Sequence, residues 1–321
     1  MKLRKAWAAA AAALAGTALC AAAQQYPTKP VKIVAPVQPG GGVDLTARTV
    51  AEQLSKSMGQ SFIVENISGG GGVIASQTVA RAAPDGYTLM LGYVATHGTV
   101  PAVRKVPYDA VKDFTPIAMV AGTPNVLVVG EKVPPNDLKS LVDYAKKNPI
   151  SYGSSGQGSL THLAMEQLRT AAGFEAVHAA YRGIGPAITD VLGGQTQMMM
   201  PGLAAAMPQI KAGKLKPIAV TGKKRHALLP DTPTFEELGY KGFDGVQWYA
   251  IVGPAKMPPD LVKRLNAEIN KAIATPELRQ RLSGEALEPM PMTPEQFGKY
   301  MQDDIAHWAK LAKERNITLE E

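Results

Sequence analysis

The sequence predicts an α/β protein of two lobes, each built on a mostly parallel sheet flanked by helices. Two observations lead to this prediction. Runs typical of strands alternate with runs typical of helices from Gln25 onward, and such alternation indicates a parallel sheet with right-handed crossovers. The alternation occurs as two successive series, and a chain of 321 residues is long enough for two domains of ordinary size.

The first 23 residues precede the predicted fold. Basic residues occupy positions 2, 4 and 5, residues 6–19 are nearly all Ala and Leu, and three alanines follow at 21–23. This order is typical of a secretory signal peptide with a cleavage site of small residues, so we expect residues 1–23 to be removed on export to the periplasm. Lipid attachment at Cys20 is the alternative. Lipoprotein signals have a small residue directly before the cysteine, whereas this chain has Leu19 there, which disfavours that alternative.

Composition narrows the function classes. Hydrophobic residues make up 45% of the chain and charged residues 19%, as in ordinary globular proteins. The net charge of +7 falls to +4 when the three basic residues of the leader are removed, which suits binding of small anions. The basic residues are scattered and no nucleic-acid motif is present, so we expect no nucleic-acid partner. Cys20 is the one cysteine, so the mature protein would hold neither a disulfide nor a thiolate site.

The first series of elements begins at residue 31. We predict strands at 31–37, 61–66 and 87–94, a helix at 43–59, and a glycine loop with a helix at 69–86. Apolar residues recur every three or four positions in the helix at 43–59, so one of its faces should be buried.

The second series begins at residue 125. It contains predicted strands at 125–130, 150–155, 175–181, 196–200, 215–222 and 245–254, with helices at 136–149, 159–173 and 185–194, before a largely helical tail from Pro258. We assign residues 24–122 and 253–321 to the first lobe and residues 123–252 to the second. Two crossings between the lobes would form a hinge.

Three turns between a predicted strand and a predicted helix are rich in glycine or serine. They are "PGGG" at 39–42, "YGSSGQGSLTHL" at 152–163 and "YRGIGPA" at 181–187. Bare backbone amides at the start of a helix favour an anion, and a Cβ there would hold the ligand away. The three turns therefore predict a site for a small anion, although tight turn geometry alone would also explain glycines at these places.

Motifs for catalysis, cofactors and metals are absent from the sequence. There is no phosphate loop ending in Gly-Lys-Ser/Thr, no nucleophile elbow, no H-E-x-x-H and no metal-ligand spacing among the five histidines. His97, at the end of a predicted strand, is either a ligand contact or a surface loop residue. His162, near a helix start, either reaches the cleft or is a hydrogen-bonding residue of the first turns of the helix. Of the three methionines at 198–200, Met200 is nearest to the strand end and to the predicted site.

Taken together and in order, several stretches resemble the solute receptors of tripartite tricarboxylate transporters, also called Bug receptors. The resemblance spans nearly the whole mature chain and includes "YPTKPVKIVAPVQPGGGVD", "VENISGGGGVIASQTVARAAPDGYTLMLG", "YGSSGQGSLTHLAMEQL" and "LLPDTPTFEELGY". It implies a monomeric periplasmic receptor with a two-lobed, type II-like binding-protein fold. Such a receptor closes its cleft on a small carboxylate, delivers it to membrane permease subunits, and is neither an enzyme nor a cofactor protein.

The resemblance and the glycine turns together give a set of expected ligand contacts on both lobes. The first lobe contributes Gly40, Gly41, Gly42, Asp44, Tyr93, Ala95, Thr96 and His97; the second contributes Ser154, Ser155, Gly156, Ser159, His162, Tyr181, Arg182, Gly183 and Met200; Trp248 matches the family's aromatic residue near the return crossing. Asp44 would repel an anion directly, so we expect it to order the loop by accepting from backbone amides.

The ligand class is narrowed by one departure from the family pattern. Many members carry a polar pair such as Phe-Asp where this chain has Met200-Pro201, and an acid there could pair with an amino group. Its absence favours a dicarboxylate, an aromatic acid or another apolar carboxylate over an amino acid, and the resemblance itself also implies tricarboxylates. Two rival functions remain open at this point: a receptor that presents its ligand to a signalling partner, and a hydrolase that uses Ser155 or Ser159 with His162.

Overall fold

The computed structural model describes residues 26–40 and 42–314, so the predicted signal peptide and Gly41 lie outside the described residues. The strands are β1 (Val31–Ala35), β2 (Phe62–Asn66), β3 (Thr88–Tyr93), β4 (Phe114–Pro124), β5 (Val126–Gly130), β6 (Ser151–Ser154), β7 (Val177–Ala180), β8 (Met198–Met199), β9 (Leu215–Val220), β10 (Val246–Pro254) and β11 (Glu288–Pro289). They form two sheets, ordered β11-β4-β10-β3-β1-β2 and β7-β6-β8-β5-β9. The predicted two-lobed α/β architecture is confirmed.

Helices flank both sheets. They are α1 (Gly42–Met58), α2 (Val73–Ala80), α3 (Val100–Val103), α4 (Leu138–Ala145), α5 (Leu160–Ala172), α6 (Ile184–Gly193), α7 (Leu203–Lys211), α8 (Pro259–Ala274), α9 (Pro276–Gly284) and α10 (Pro294–Glu314). A short 3-10 turn at Gly70–Gly72 precedes α2, and a π-helical turn at Ala95–Thr99 precedes α3. Among the described helices, none combines the length and apolar character needed to cross a membrane.

The sheets are mixed, which corrects the prediction that each is mostly parallel. In the first sheet β1 is parallel to β2 and β3, but β10 is antiparallel to both β3 and β4. In the second sheet β6 is parallel to β7 and β8, but β5 is antiparallel to β8 and β9. The reason lies in the crossings: β4 carries the chain out of the first lobe, β10 carries it back, and these opposed strands pair.

The crossings fall beside Asn125 and just before Val246. Because β10 pairs along its whole length with β4, the predicted boundary at residue 253 does not follow the sheets, and the first sheet resumes at Val246. The two crossings are tied together: the Asn125 backbone N–H donates to Thr221 Oγ1 (2.8 Å), and that hydroxyl donates to the Gly245 carbonyl (2.8 Å). The two connections therefore form one hydrogen-bonded strip between the lobes.

Each sheet is covered by apolar side chains on both faces. On the first sheet, α1 and α8 bury Leu54 and Leu265 on one face, while α2 and α10 bury Val79 and Phe297 on the other. The second of these clusters also contains Leu160 from α5 of the second lobe. Side chains from both lobes therefore pack against each other beside the crossings, on the side that α10 covers.

Candidate functional site

Three turns of the first lobe meet at one edge of its sheet. They follow the parallel strands β1, β2 and β3, whose carboxyl ends lie side by side. A Cβ placed on Gly72 would lie 2.4 Å from Thr96 Cγ2 and 3.2 Å from Pro36 Cβ, so this glycine lets the second turn fit between the other two. Ligands of α/β proteins bind at such an edge.

Asp44 orders the first glycine loop. Its Oδ2 accepts from the Gly40 backbone N–H (2.9 Å) and from Arg48 Nε (3.1 Å), and its Oδ1 accepts from Asn66 Nδ2 (2.8 Å). Burial opposes the charge, but the hydrogen bonds from Arg48, Gly40 and Asn66 outweigh it and hold the pKa of this carboxyl below its ordinary value. Asp44 therefore orders the loop, and the Arg48 guanidinium offsets part of its charge.

The first loop also contacts a tyrosine that the sequence analysis missed. Tyr249 of β10 lies opposite Tyr93 of β3, and its hydroxyl oxygen is 3.0 Å from the position of a Cβ on Gly42. The Tyr249 side chain is 4% exposed, and burial raises the pKa of both phenols. Within the described residues neither hydroxyl has a protein hydrogen-bond partner.

The turn Ala95-Thr96-His97 is buried, which corrects its prediction as a ligand-contacting surface. Thr96 Oγ1 accepts from the Tyr93 backbone N–H (3.1 Å) and is 2.8 Å from His97 Nδ1. The His97 ring packs edge-on against Phe114 at 4.5 Å, and burial lowers the pKa of this imidazole to about 3. The Thr96 and His97 side chains have 0% exposure, so they support the edge of the first sheet from within the core.

Trp248 faces away from the glycine loop, which corrects its prediction as a ligand contact. Neighbouring residues of a strand point to opposite faces, and Tyr249 takes the face toward α1. Trp248 has 0% exposure and packs on the other face, where its Nε1 donates to Asp304 Oδ2 (2.9 Å). Trp308 Nε1 donates to the other oxygen of Asp304 (3.0 Å). Burial raises the pKa of this carboxyl to about 6 despite the two indole donors.

The serine and glycine loop of the second lobe is held by hydroxyl groups. Ser159 caps α5, as its side chain accepts from the His162 backbone N–H, and its Oγ donates to the Gly156 carbonyl (2.6 Å). Ser155 is half-buried, its backbone N–H donates to Thr161 Oγ1 (2.9 Å), and its own Oγ lies 3.0 Å from that oxygen. The predicted start of this helix is confirmed, and Thr161 is an organising residue that the sequence analysis missed.

Two stacked histidines lie beneath this loop. The His162 and His178 rings are 4.0 Å apart and within 10° of parallel, and the Tyr152 ring lies 4.9 Å from His178 and 6.4 Å from His162, within 15° of parallel to both. His178 Nε2 is 2.6 Å from Ser154 Oγ. Burial, with the neighbouring imidazole, lowers the pKa of His162 to about 4, and burial lowers the pKa of His178. Both rings are therefore neutral at pH 7 and stack without charge repulsion.

The third turn joins the same group of residues. The Tyr181 backbone N–H donates to the Ser154 carbonyl (3.1 Å), and its hydroxyl donates to Asp190 Oδ2 (2.6 Å). Gly183 precedes α6 with a φ of 125°, a conformation that favours glycine. Arg182 is exposed and makes no ion pair within the described part of the chain.

Met200 does not reach the site, contrary to its prediction. Its side chain has 0% exposure within the core of the second lobe, and its carbonyl accepts from Asn125 Nδ2 (2.8 Å). It therefore supports the crossing and offers no surface to a ligand.

The start of β10 connects the first-lobe and second-lobe groups. A Cβ on Gly245 would lie 3.3 Å from Leu160, the residue after Ser159, whereas Tyr249 reaches Gly42. Tyr249 lies four residues after Gly245, so at the usual rise per residue of a strand the two contacts are about 14 Å apart. In residues 26–40 and 42–314, no group of three metal-ligating side chains is close enough to hold a metal ion.

The chain resembles known proteins in both sequence and structure. The family described as "Tripartite tricarboxylate transporter family receptor" matches residues 46–317. The structure of the periplasmic binding protein BugD is 34% identical, with a TM-score of 0.86 over 92% of this chain and 100% of that chain. R. palustris Rpa4515 with adipate is 34% identical, with a TM-score of 0.87 over 91% and 98%. MatC from Rhodopseudomonas palustris with bound malate is 30% identical, with a TM-score of 0.84 over 89% and 99%.

Proposed function

Because the chain belongs to the family of tripartite tricarboxylate transporter receptors, we propose that it binds a small dicarboxylate between its lobes and delivers it to the membrane subunits of such a transporter. Residues 1–23 would direct the chain to the periplasm and then be removed. The receptor would act as a monomer that closes about the strip formed by its two crossings.

One observation carries this proposal: a helix start lined by backbone amides or hydroxyls lies in each lobe, and the one carboxylate in these loops, Asp44, is already paired. On the first lobe, Asp44 is engaged by Arg48, Asn66 and the loop backbone, which leaves the start of α1 to favour an anion. On the second lobe, hydroxyl groups surround the start of α5. Two donor groups on opposite lobes suit a ligand with an anionic group at each end.

The ligand class has two further supports. Adipate and malate, bound by two related proteins, are both aliphatic dicarboxylates. Position 200 of this chain is a buried methionine followed by proline, so no acid stands there to pair with an amino group. Aromatic acids and tricarboxylates are the next ligands to compare.

A thermal-shift screen tests the ligand class. Malate, succinate, adipate, citrate and benzoate are each added to the mature protein, with aspartate as the amino acid control. A ligand at 100 times its Kd should raise the free energy of unfolding by about 2.7 kcal/mol. A dicarboxylate should give the largest shift; a larger shift with aspartate, or none with any carboxylate, would contradict the proposal.

The two rival functions predict different results. A hydrolase that used Ser155 or Ser159 with His162 needs a serine hydroxyl bonded to the imidazole, whereas Ser155 contacts Thr161, and Ser159 Oγ donates to Gly156. Hydrolysis of ester substrates, blocked by a serine-directed inhibitor, would support that rival. A signalling receptor needs the same closing cleft, and loss of ligand uptake on gene deletion separates transport from signalling.

A further inference from the structure

Tyr249 carries a hydroxyl that the fold does not use. Its side chain is 4% exposed, and the hydroxyl has no protein partner among the described residues; because it is not one of their fully enclosed unpaired atoms, it reaches solvent. By contrast, the hydroxyl of Tyr26, at the opposite end of the first lobe, donates to the Gly86 carbonyl at 2.7 Å. A solvent-accessible hydroxyl on an otherwise buried side chain is held in one place and can donate to a bound molecule without first giving up a bond to the protein.

The position of this hydroxyl indicates which kind of ligand group it would contact. It points to the start of α1, where a Cβ on Gly42 would come within 3.0 Å of the phenol oxygen. α1 has 17 residues, and its free backbone amides and dipole favour an anion at that end. The nearby carboxylate of Asp44 is already engaged by Arg48 and Asn66.

We propose that Tyr249 is a specificity-determining ligand contact, whose hydroxyl donates a hydrogen bond to a carboxylate held at the start of α1. The contact rests on the proposed function and adds a residue from the return strand to the glycine loop. Burial raises the pKa of this phenol, so it is neutral and able to donate at neutral pH, where the ligand carboxylate is ionised. Helix amides are donors only, so the combined site favours a carboxylate over a carboxamide of the same size.

The test compares Tyr249→Phe with Tyr26→Phe, which removes a hydroxyl that is bonded and remote from the site. Without ligand, Tyr249→Phe should unfold at the same temperature as the wild type or higher, because no bond is lost. Tyr26→Phe should unfold at a lower temperature. If Tyr249→Phe is destabilised as much as Tyr26→Phe, the hydroxyl has a structural partner and the inference is overturned. This arm of the test needs no ligand.

The second arm is titration calorimetry with malate, succinate and adipate. For the dicarboxylate that binds the wild type, Tyr249→Phe should raise Kd roughly 10- to 150-fold, the range for a hydrogen bond to a charged group, while Tyr26→Phe leaves Kd unchanged. The ratio of Kd values for the dicarboxylate and its monoamide should also shrink in Tyr249→Phe. Equal Kd values in wild type and Tyr249→Phe would refute this inference alone. A wild type that binds no dicarboxylate would refute the proposed function, and the ligand contact with it.

Discussion

The two glycine-rich loops look alike in sequence but are stabilised by different electrostatics. The first-lobe loop is ordered by a charged carboxylate, Asp44, paired with a half-exposed guanidinium, Arg48. The second-lobe loop is ordered by hydroxyls and rests on two neutral, stacked imidazoles. Similar turn residues therefore do not imply a similar response to pH or salt, and each loop can be perturbed without changing the other.

Substitution of Gly42 should cause the largest loss of ligand affinity, because the new side chain would occupy the first loop and leave the second loop unchanged. Gly42→Val places a branched side chain against the Tyr249 hydroxyl, and Gly42 has no positive φ, so the helix tolerates the change. We expect ligand affinity to fall by more than about 100-fold, or about 2.7 kcal/mol, with an unchanged circular dichroism spectrum. Gly193→Ala, in α6 with open space around it, is the control. Binding within a factor of three of the wild type would mean that the first loop is structural.

Acidification should weaken the second lobe first. The pKa of His162 is lowered to about 4 in the folded protein, while in the unfolded chain a histidine titrates near its ordinary value. The folded state therefore binds fewer protons, and stability present above about pH 6.5 is lost as the pH falls toward 4. From pH 7 to 5 we expect His162 to account for a loss of about 2 kcal/mol in the free energy of unfolding.

Two variants isolate this contribution in urea titrations at each pH. His162→Gln should make the pH dependence shallower. Asp304 acts in the opposite sense, because its folded pKa is raised to about 6 and protonation stabilises the fold as the pH falls through that value. Asp304→Asn should therefore make the pH dependence steeper. An unchanged slope in His162→Gln would show that the imidazole stack is not what acid disrupts.

Loss of one hydroxyl from the second loop should have a smaller effect than filling the first. Ser155→Ala removes a half-buried donor beside Thr161 and should weaken ligand binding by about 0.5 to 1.5 kcal/mol. Ser151→Ala, at the opposite end of β6, should leave binding unchanged. A loss as large as that of Gly42→Val would mean that the second loop, not the first, provides most of the affinity.

Salt concentration should change ligand affinity less than any of the substitutions above. The donors in both loops are amides and hydroxyls, so little of the attraction is between exposed full charges. We expect Kd to change less than about threefold between 50 and 500 mM salt. A tenfold loss would indicate direct pairing with a cation, and Arg182→Gln, which removes the exposed guanidinium of the third turn, would then abolish the salt dependence.

The sequence predicted the elements that have clear turn signals at both ends. The helix predicted at 159–173 is one of these, and the structure shows its signals: Ser159 caps its start and Gly173 ends it in a left-handed conformation. β4 was missed because Pro116 and Gly122 interrupt its apolar run and resemble turn signals, although both lie within the paired strand. The boundary at 253 was misplaced for a related reason: pairing with distant strands decides sheet membership, and spacing along the chain carries no such information.

The site was predicted to the level of loops and not of side chains. Alternation along β10 indicates that Trp248 and Tyr249 face opposite ways, but a central strand is buried on both faces, so the pattern does not say which face meets the glycine loop. His178 was missed because its partner Ser154 is 24 residues away and stacking leaves no sequence signal. Thr96 and His97 sit at the expected strand end, yet the π-helical turn directs them into the core.

The pairing of two indoles on one carboxylate gives the protein an internal optical probe. Of the three tryptophans in the sequence, Trp7 lies in the predicted leader, and the other two share Asp304 beside the crossing. Trp308 also touches Gly245, so it lies against the strip about which the lobes would move. Tryptophan emission from a chain without the predicted leader would therefore originate beside the proposed hinge, and its wavelength and quenching would report on that region without any attached dye.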